Sequence, residues 1–139
     1  MVNNEPFNKE YIKNKWRLDR FATETSGAEI IEAGMGFARC RMTIDSRHLN
    51  AMGNVMGGAL FTLADFAFAV AANEDNIEWA SVSSTINYLS SAHEGVIWAT
   101  ARQIKKGGRM CVFNIEITDN QDKCVATVVT TGMRIATPN

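Results

Sequence analysis

The stretch GNVMGGALFTLADFAFAVAAN, Gly53 to Asn73, constrains the fold more than any other part of the chain. Between Val55 and Ala72 only Thr62 and Asp65 carry polar side chains. A helix that is apolar on nearly every side must be covered on nearly every side. A membrane span meets that need badly, because it sets Asp65 near mid-bilayer at a cost of about 2.5–3.5 kcal/mol. A helix from about Gly58 to Asn73, buried inside a globular protein, meets it better. Ala64, Ala67, Ala69, Ala71 and Ala72 let neighbouring backbone come close. The stretch leaves one question, which is why a single carboxylate, Asp65, is kept in so oily a rod.

The cover must come from the rest of the chain. Its 139 residues, 46% of them hydrophobic, suit one domain over 1–139 with a substantial core. Residues 1–26 read as an N-terminal helical extension. A short amphipathic helix from about Asn8 to Phe21 carries Tyr11, Ile12, Trp16 and Leu18 as its apolar positions. In GAEIIEAGMGFARCRMTID, Gly34 and Gly36 bracket Met35 as the turn between two strands. Phe37, Cys40, Met42 and Ile44 are the apolar positions of the second strand, with Arg39 and Arg41 facing away. Ser46 to Met56 is a loop. After the long helix come four strand-like runs rich in Val, Ile, Thr and aromatics: about Trp79–Leu89, Val96–Lys105, Met110–Thr118 and Cys124–Ile135. SSAHEG, KKGG and DNQDK break them. The order predicts an α+β fold, a curved antiparallel sheet wrapped around one long central helix. Such a sheet leaves open edges, so a dimer joined edge to edge is expected.

Charge and cysteine usage exclude several function classes. A net charge of −1 gives no electrostatic basis for binding nucleic acid or a membrane surface. Cys40, Cys111 and Cys124 form no CxxC pair and lie in apolar stretches, which reads as reduced, buried thiols in a cytoplasmic protein. The opening MVNNEPFNKEYIKNKW is too charged for a signal peptide. His48 and His93 are far apart, read as surface loop residues, and make a zinc site improbable.

The segment HLNAMGNVMGGALFTLADFAFAVAAN resembles the signature of the hotdog-fold acyl-CoA thioesterases of the phenylacetate-degradation, PaaI-like type. That family shows an Asn, a short glycine-containing loop, His-Gly-Gly, and an aliphatic helix with Leu-Ala-Asp. Asn50, Gly53, Gly57, Gly58, Leu63, Ala64 and Asp65 match in order and spacing. TINYLSSA resembles the strand after the helix, and KKGGRMCVFNIEITDNQDKCVATVVTTG the last hairpin. The likeness runs from about Gly27 to Ala136. One position departs from it: the family's His before the glycine pair is Met56 here.

The resemblance implies hydrolysis of an acyl-CoA thioester to free acid and coenzyme A. It implies no cofactor, since coenzyme A belongs to the substrate, and a homodimer or homotetramer with a shared site. Thioester hydrolysis needs a group that activates water or attacks the carbonyl, and another that stabilises the oxyanion. Asp65 suits the first role, as general base or as nucleophile through a mixed anhydride. On a helical wheel Gly58, Thr62, Ala69 and Ala72 lie within about 60° of it, a face of small residues. The alternative is an Asp that only bridges a dimer interface. Gly57 and Gly58 sit where free N–H groups and the positive end of the helix dipole point, and the resemblance gives the Gly57 N–H to the thioester oxygen. Both glycines also serve a tight helix entry. Asn50 orients water or carbonyl, or caps its own loop. Ser81, Ser83, Thr85 and Asn87 share one face by strand alternation. By resemblance Ser81 or Ser83 lies near the acid of the facing subunit; otherwise that face is simply solvated. Lys105, Lys106 and Arg109 ring a glycine turn that the resemblance puts near the nucleotide end of coenzyme A, or that merely keeps a hairpin tip soluble. Met52 and Met56 suit an adaptable acyl pocket, or core filling. Two further functions compete: an acyl-CoA binder without chemistry, and, ranked last, a dehydratase, which pairs a carboxylate with a His that this motif lacks.

Overall fold

A computed structural model describes residues 9–73 and 77–135 of the chain; for Lys9 it describes the backbone alone. The expected helix start at Asn8, the first eight residues of the extension and the last four of the chain lie outside these. Helix α1 spans Lys9–Trp16, followed by one π-helical turn at Phe21–Thr25. Strands β1 (Glu29–Gly34) and β2 (Phe37–Thr43) form a hairpin, and a 3-10 turn at Ser46–His48 leads towards α2 (Gly57–Ala72). Strands β3 (Trp79–Tyr88), β4 (Val96–Lys106), β5 (Met110–Thr118) and β6 (Cys124–Arg134) complete the described fold.

The six strands make one antiparallel sheet in the order β1-β2-β4-β5-β6-β3. Helix α2 touches all six. Laid flat, six strands at about 4.8 Å spacing are wider than a helix of about 10 Å, so the sheet must curve around α2 to reach it. The inward residues close the core. Leu63, Phe66, Phe68 and Val70 of α2 are buried against Met42, Ile97, Phe113, Ile115 and Val128. Phe68 meets Phe113 edge-on with ring centroids 5.3 Å apart. Gly132 on β6 is required by this close approach, since a Cβ there would lie 2.9 Å from Phe68 Cζ and 2.7 Å from Cys111 Sγ. At the far end of α2 the Asn73 side chain donates to Ala69 O (2.8 Å) and accepts from Trp79 N (2.8 Å), tying the helix end to the start of β3.

Three local expectations are corrected. Helix α1 stops at Trp16, and of its expected apolar positions Tyr11 and Leu18 are exposed while Ile12 is buried. Phe37 lies on the arginine side of β2, where the Arg102 guanidinium stacks on its ring at 5.0 Å; the buried positions are Ala38, Cys40 and Met42. Alternation therefore begins at Ala38. The cysteines are free thiols; Cys40 and Cys111 are buried, Cys124 is half-buried, and burial pushes Cys40 up to about 12. Among the described residues no helix is long and apolar enough to cross a membrane.

Phe68→Ala removes the ring around which α2, β5 and β6 close, and should cost about 3–5 kcal/mol. Urea unfolding followed by circular dichroism checks this value.

Candidate active site

The loop before α2 decides where that helix begins. Asp45 caps the 3-10 turn: its carboxylate accepts from Arg47 N (2.9 Å), while its own N–H donates to His48 Nδ1 (2.9 Å). With Nδ1 accepting, His48 takes the Nε2–H tautomer and donates to Ser26 O at 2.7 Å. His48 O accepts from Met56 N (2.7 Å). His48 is therefore buried rather than a surface loop residue, and it struts the segment at Ser26 against the first turn of α2. The signal in the sequence was Asp-x-x-His, a capping box with His in the place of Glu or Gln. The Arg47 guanidinium grips Asp45 through both oxygens (3.0 and 2.8 Å) and holds its carboxyl down at about 2.

At the helix start, Met56 is the N-cap residue and supplies no side-chain hydrogen bond. The N–H groups of Gly57 and Gly58 have no partner among the described residues. They carry the positive end of the helix dipole. A cleft of about 470 Å³ lies here, lined among others by Asn50, Gly57, Leu60, Tyr88, Ser90 and Ala92. Asn50 Oδ1 accepts from Met52 N (2.9 Å) and Asn54 N (3.1 Å), so its oxygen caps the loop. Its Nδ2 has no partner among the described residues, and the side chain stands on the cleft wall. Met56 and Met52 are exposed; Met56 runs beside Gly58 and neither lines this cleft.

Asp65 lies two turns further along α2. The sheet and α1 cover most of the helix but leave a stripe of Gly58, Phe61, Thr62, Asp65 and Ala69 partly or fully open; Ala72, expected on this face, is buried. Thr62 turns its hydroxyl back onto Gly58 O (2.8 Å). No described residue hydrogen-bonds or ion-pairs with the Asp65 carboxylate. Partial burial among apolar neighbours raises its pKa above the ordinary carboxylate value, and the negative charge of Asp19 raises it further. Asp19 comes near because Trp16 packs edge-on against Phe66 at 6.3 Å and brings the end of α1 to this part of α2.

The other expected site residues are dispersed. A bulge at Val82 interrupts β3: Ser81 pairs with Gly132, and Ser83 with Thr131. Paired residues share a face, and Gly132 faces Phe68, so Ser81 is on the helix side of the sheet. Ser83, Thr85 and Asn87 point to the outer side, so the face predicted for all four residues does not form. Lys106 lines a small cavity of about 70 Å³ beside Ala72, Trp79 and Cys111, at the C-terminal end of α2. Arg109 is exposed in the β4–β5 turn. The 16 residues of α2, about 24 Å at 1.5 Å per residue, separate these cations from Gly57. Tyr88 was missed because its period on the strand looked like an ordinary β-strand aromatic, and Asp19 because only the fold brings it near Asp65.

The sequence profile of the thioesterase superfamily matches residues 52–134. Acyl-coenzyme A thioesterase PaaI of Escherichia coli K12 is 38% identical over 101 residues, which are 72% of this chain and 72% of that protein. Human acyl-coenzyme A thioesterase 13 is 28% identical over 114 residues, 80% of this chain and 81% of that one. The solved structure of E. coli PaaI superposes with a TM-score of 0.84 at 32% identity, covering 92% of this chain and 94% of its own.

In a carbon-detected NMR titration, Asp65 should inflect above the ordinary carboxylate value, and Asp19→Asn should move the inflection down. A carboxyl whose pKa is raised on folding stabilises the native state fully below its unfolded pKa, and that contribution is lost as pH rises through the folded pKa. Asp65→Asn should therefore melt no lower than the wild type at pH 7, as a thermal scan would read.

Proposed function

The chain belongs to the thioesterase superfamily as a PaaI-like member with the hotdog fold, and from that premise we propose that it hydrolyses acyl-CoA thioesters at a site completed by a second copy of itself. The observation that carries the reading is the spacing of two open groups on one helix. Gly57 and Asp65 are eight positions apart, about 12 Å along the axis. One carbonyl cannot meet both groups of one chain within hydrogen-bond reach. Two copies, each presenting the uncovered stripe, bring the Asp65 of one to the Gly57 of the other.

The sheet edges support that assembly. Strand β1 is a short edge carrying Glu29 and Glu32, the usual protection against pairing. Strand β3 is a ten-residue edge with no charged side chain, and its Val82 and Tyr88 are exposed. A long bare edge of this kind is satisfied by a second β3, and the dimer so formed doubles into the homotetramer we expect.

In the proposed reaction Asp65, made more basic by its surroundings, takes a proton from water. The resulting hydroxide adds to the thioester carbon, and the carbonyl electrons move onto oxygen, where the Gly57 N–H of the facing copy donates to them. The tetrahedral intermediate collapses with cleavage of the C–S bond. The coenzyme A thiolate leaves with the proton from Asp65, and the carboxylic acid remains. The free Nδ2 of Asn50 is suited to hold the water or the carbonyl. Ser81 supports the acid from the helix side of β3, with Ser83 left to the outer face. Lys106 and Arg109 take the phosphates of coenzyme A by charge, and Met56 and Gly58 flank the acyl group.

Assayed for thiol release over a panel of acyl-CoAs, Asp65→Asn should lower kcat on the order of a hundredfold. Equal rates would remove Asp65 from the chemistry, and coenzyme A binding without hydrolysis by either protein would favour the non-catalytic binder. The shared site has its own test. Asp65→Asn and Gly57→Pro chains, the second lacking the N–H donor at the first helical position where proline is tolerated, should each be nearly inactive alone and regain activity when combined, because each mixed dimer holds one intact pairing of Asp65 with Gly57. Absence of rescue would place both groups in a single chain's site.

A further inference from the structure

Tyr88, the last residue of β3, stands on the same cleft as Asn50 and Gly57. Its position is set from two sides. It pairs with Ala126 on the helix side of the sheet, and the next two residues are pinned to β6: Leu89 N and Ser90 N donate to Val125 O (2.8 and 3.2 Å). The Ser90 hydroxyl adds a bond to Cys124 O at 2.8 Å. The phenol end of the ring rests on the first residue of α2. A Cβ built on Gly57 would lie 2.8 Å from both Tyr88 Cζ and Tyr88 Oη, so a side chain there would push the ring aside. The hydroxyl has no hydrogen-bond partner among the described residues, and the residue is 53% exposed. Packing against Gly57 asks only for a ring. The phenol stands against Gly57, whose N–H is also open, and both residues line the same cleft, so the hydroxyl offers a second donor there.

We propose that the Tyr88 hydroxyl donates a hydrogen bond to the thioester oxygen beside the Gly57 N–H, and so makes the second half of the oxyanion site. The proposal rests on the thioesterase reading above. No proton is transferred: the O–H bond stays intact, and the donor strengthens its contact as charge gathers on the carbonyl oxygen and relaxes when the C–S bond breaks. Two donors also fix the direction of the carbonyl, which a single N–H leaves free to swing.

The test is Tyr88→Phe, which keeps the ring and its packing on Gly57 and removes only the hydroxyl. Thiol release from the acyl-CoA panel is measured with the wild type, Tyr88→Phe and Asp65→Asn. The expected result is a loss of kcat on the order of a hundredfold in Tyr88→Phe, with KM within about threefold of the wild type, since the bond matters most in the transition state. Binding of a thioether analogue, which has no carbonyl oxygen, should be equal in the two proteins. Wild-type rates in Tyr88→Phe alongside a slow Asp65→Asn would overturn the proposal and leave the thioesterase reading standing. A fall in analogue binding, or in melting temperature, that accounts for the lost rate would also overturn it, because the ring would then serve packing alone. No thiol release by the wild type itself would bring down reading and proposal together.

Discussion

The structure depends on one unresolved demand, the covering of α2. Leu63, Phe66, Phe68 and Val70 are enclosed by the sheet, and the curvature of the sheet is the form that enclosure takes. The helix is apolar nearly all round, yet one chain leaves the stripe through Gly58, Thr62, Asp65 and Ala69 open. Filling that stripe with large apolar groups would make a more self-sufficient monomer. Apart from Phe61, the stripe's small residues with one carboxylate do the opposite. They keep the backbone accessible, leave room against the helix, and set a charge on its open face. The raised basicity of Asp65 follows from that half-covered position, since desolvation costs the ionised form and Asp19 repels it.

Much of this was legible in the sequence because it rests on period and composition. The long apolar run could only be a covered helix, and the expected 58–73 differs from the observed Gly57–Ala72 by one residue at each end. Turn residues delimited the last four strands to within one residue. The errors fall where local pattern gives way to tertiary contact. Alternation along ASVSSTINY assigned four polar side chains to one face, but the bulge at Val82 turns Ser83, Thr85 and Asn87 outward while Ser81 stays inward. A bulge adds a residue without altering composition, so period 2 cannot report it. His48 looked like a polar loop residue. Its burial comes from the carbonyl of Ser26, 22 positions earlier, and no local window contains that partner. In the candidate site the types of group were readable, but their separation was not. Lys106 and Arg109 belong to the opposite end of α2 from Gly57, a distance that becomes visible only once β4 and α2 are laid side by side.

The departure at Met56 has a physical reading in the same terms. A side chain at this position can act on a ligand directly, but the backbone around it does separate work. The Met56 N–H is spent on His48 O, so the free donors at the helix start begin with Gly57. Their direction is set by the His48 strut between Ser26 and the loop, by the Asn50 oxygen that closes the loop on Met52 and Asn54, and by Tyr88 resting on Gly57. None of these contacts uses the side chain at 56. With Met at 56, where the resemblance shows His, the rim carries a flexible apolar side chain beside Gly58. In the proposed reaction the residue at 56 therefore bears on what the rim accepts, while the contacts that place the Gly57 donor do not involve its side chain.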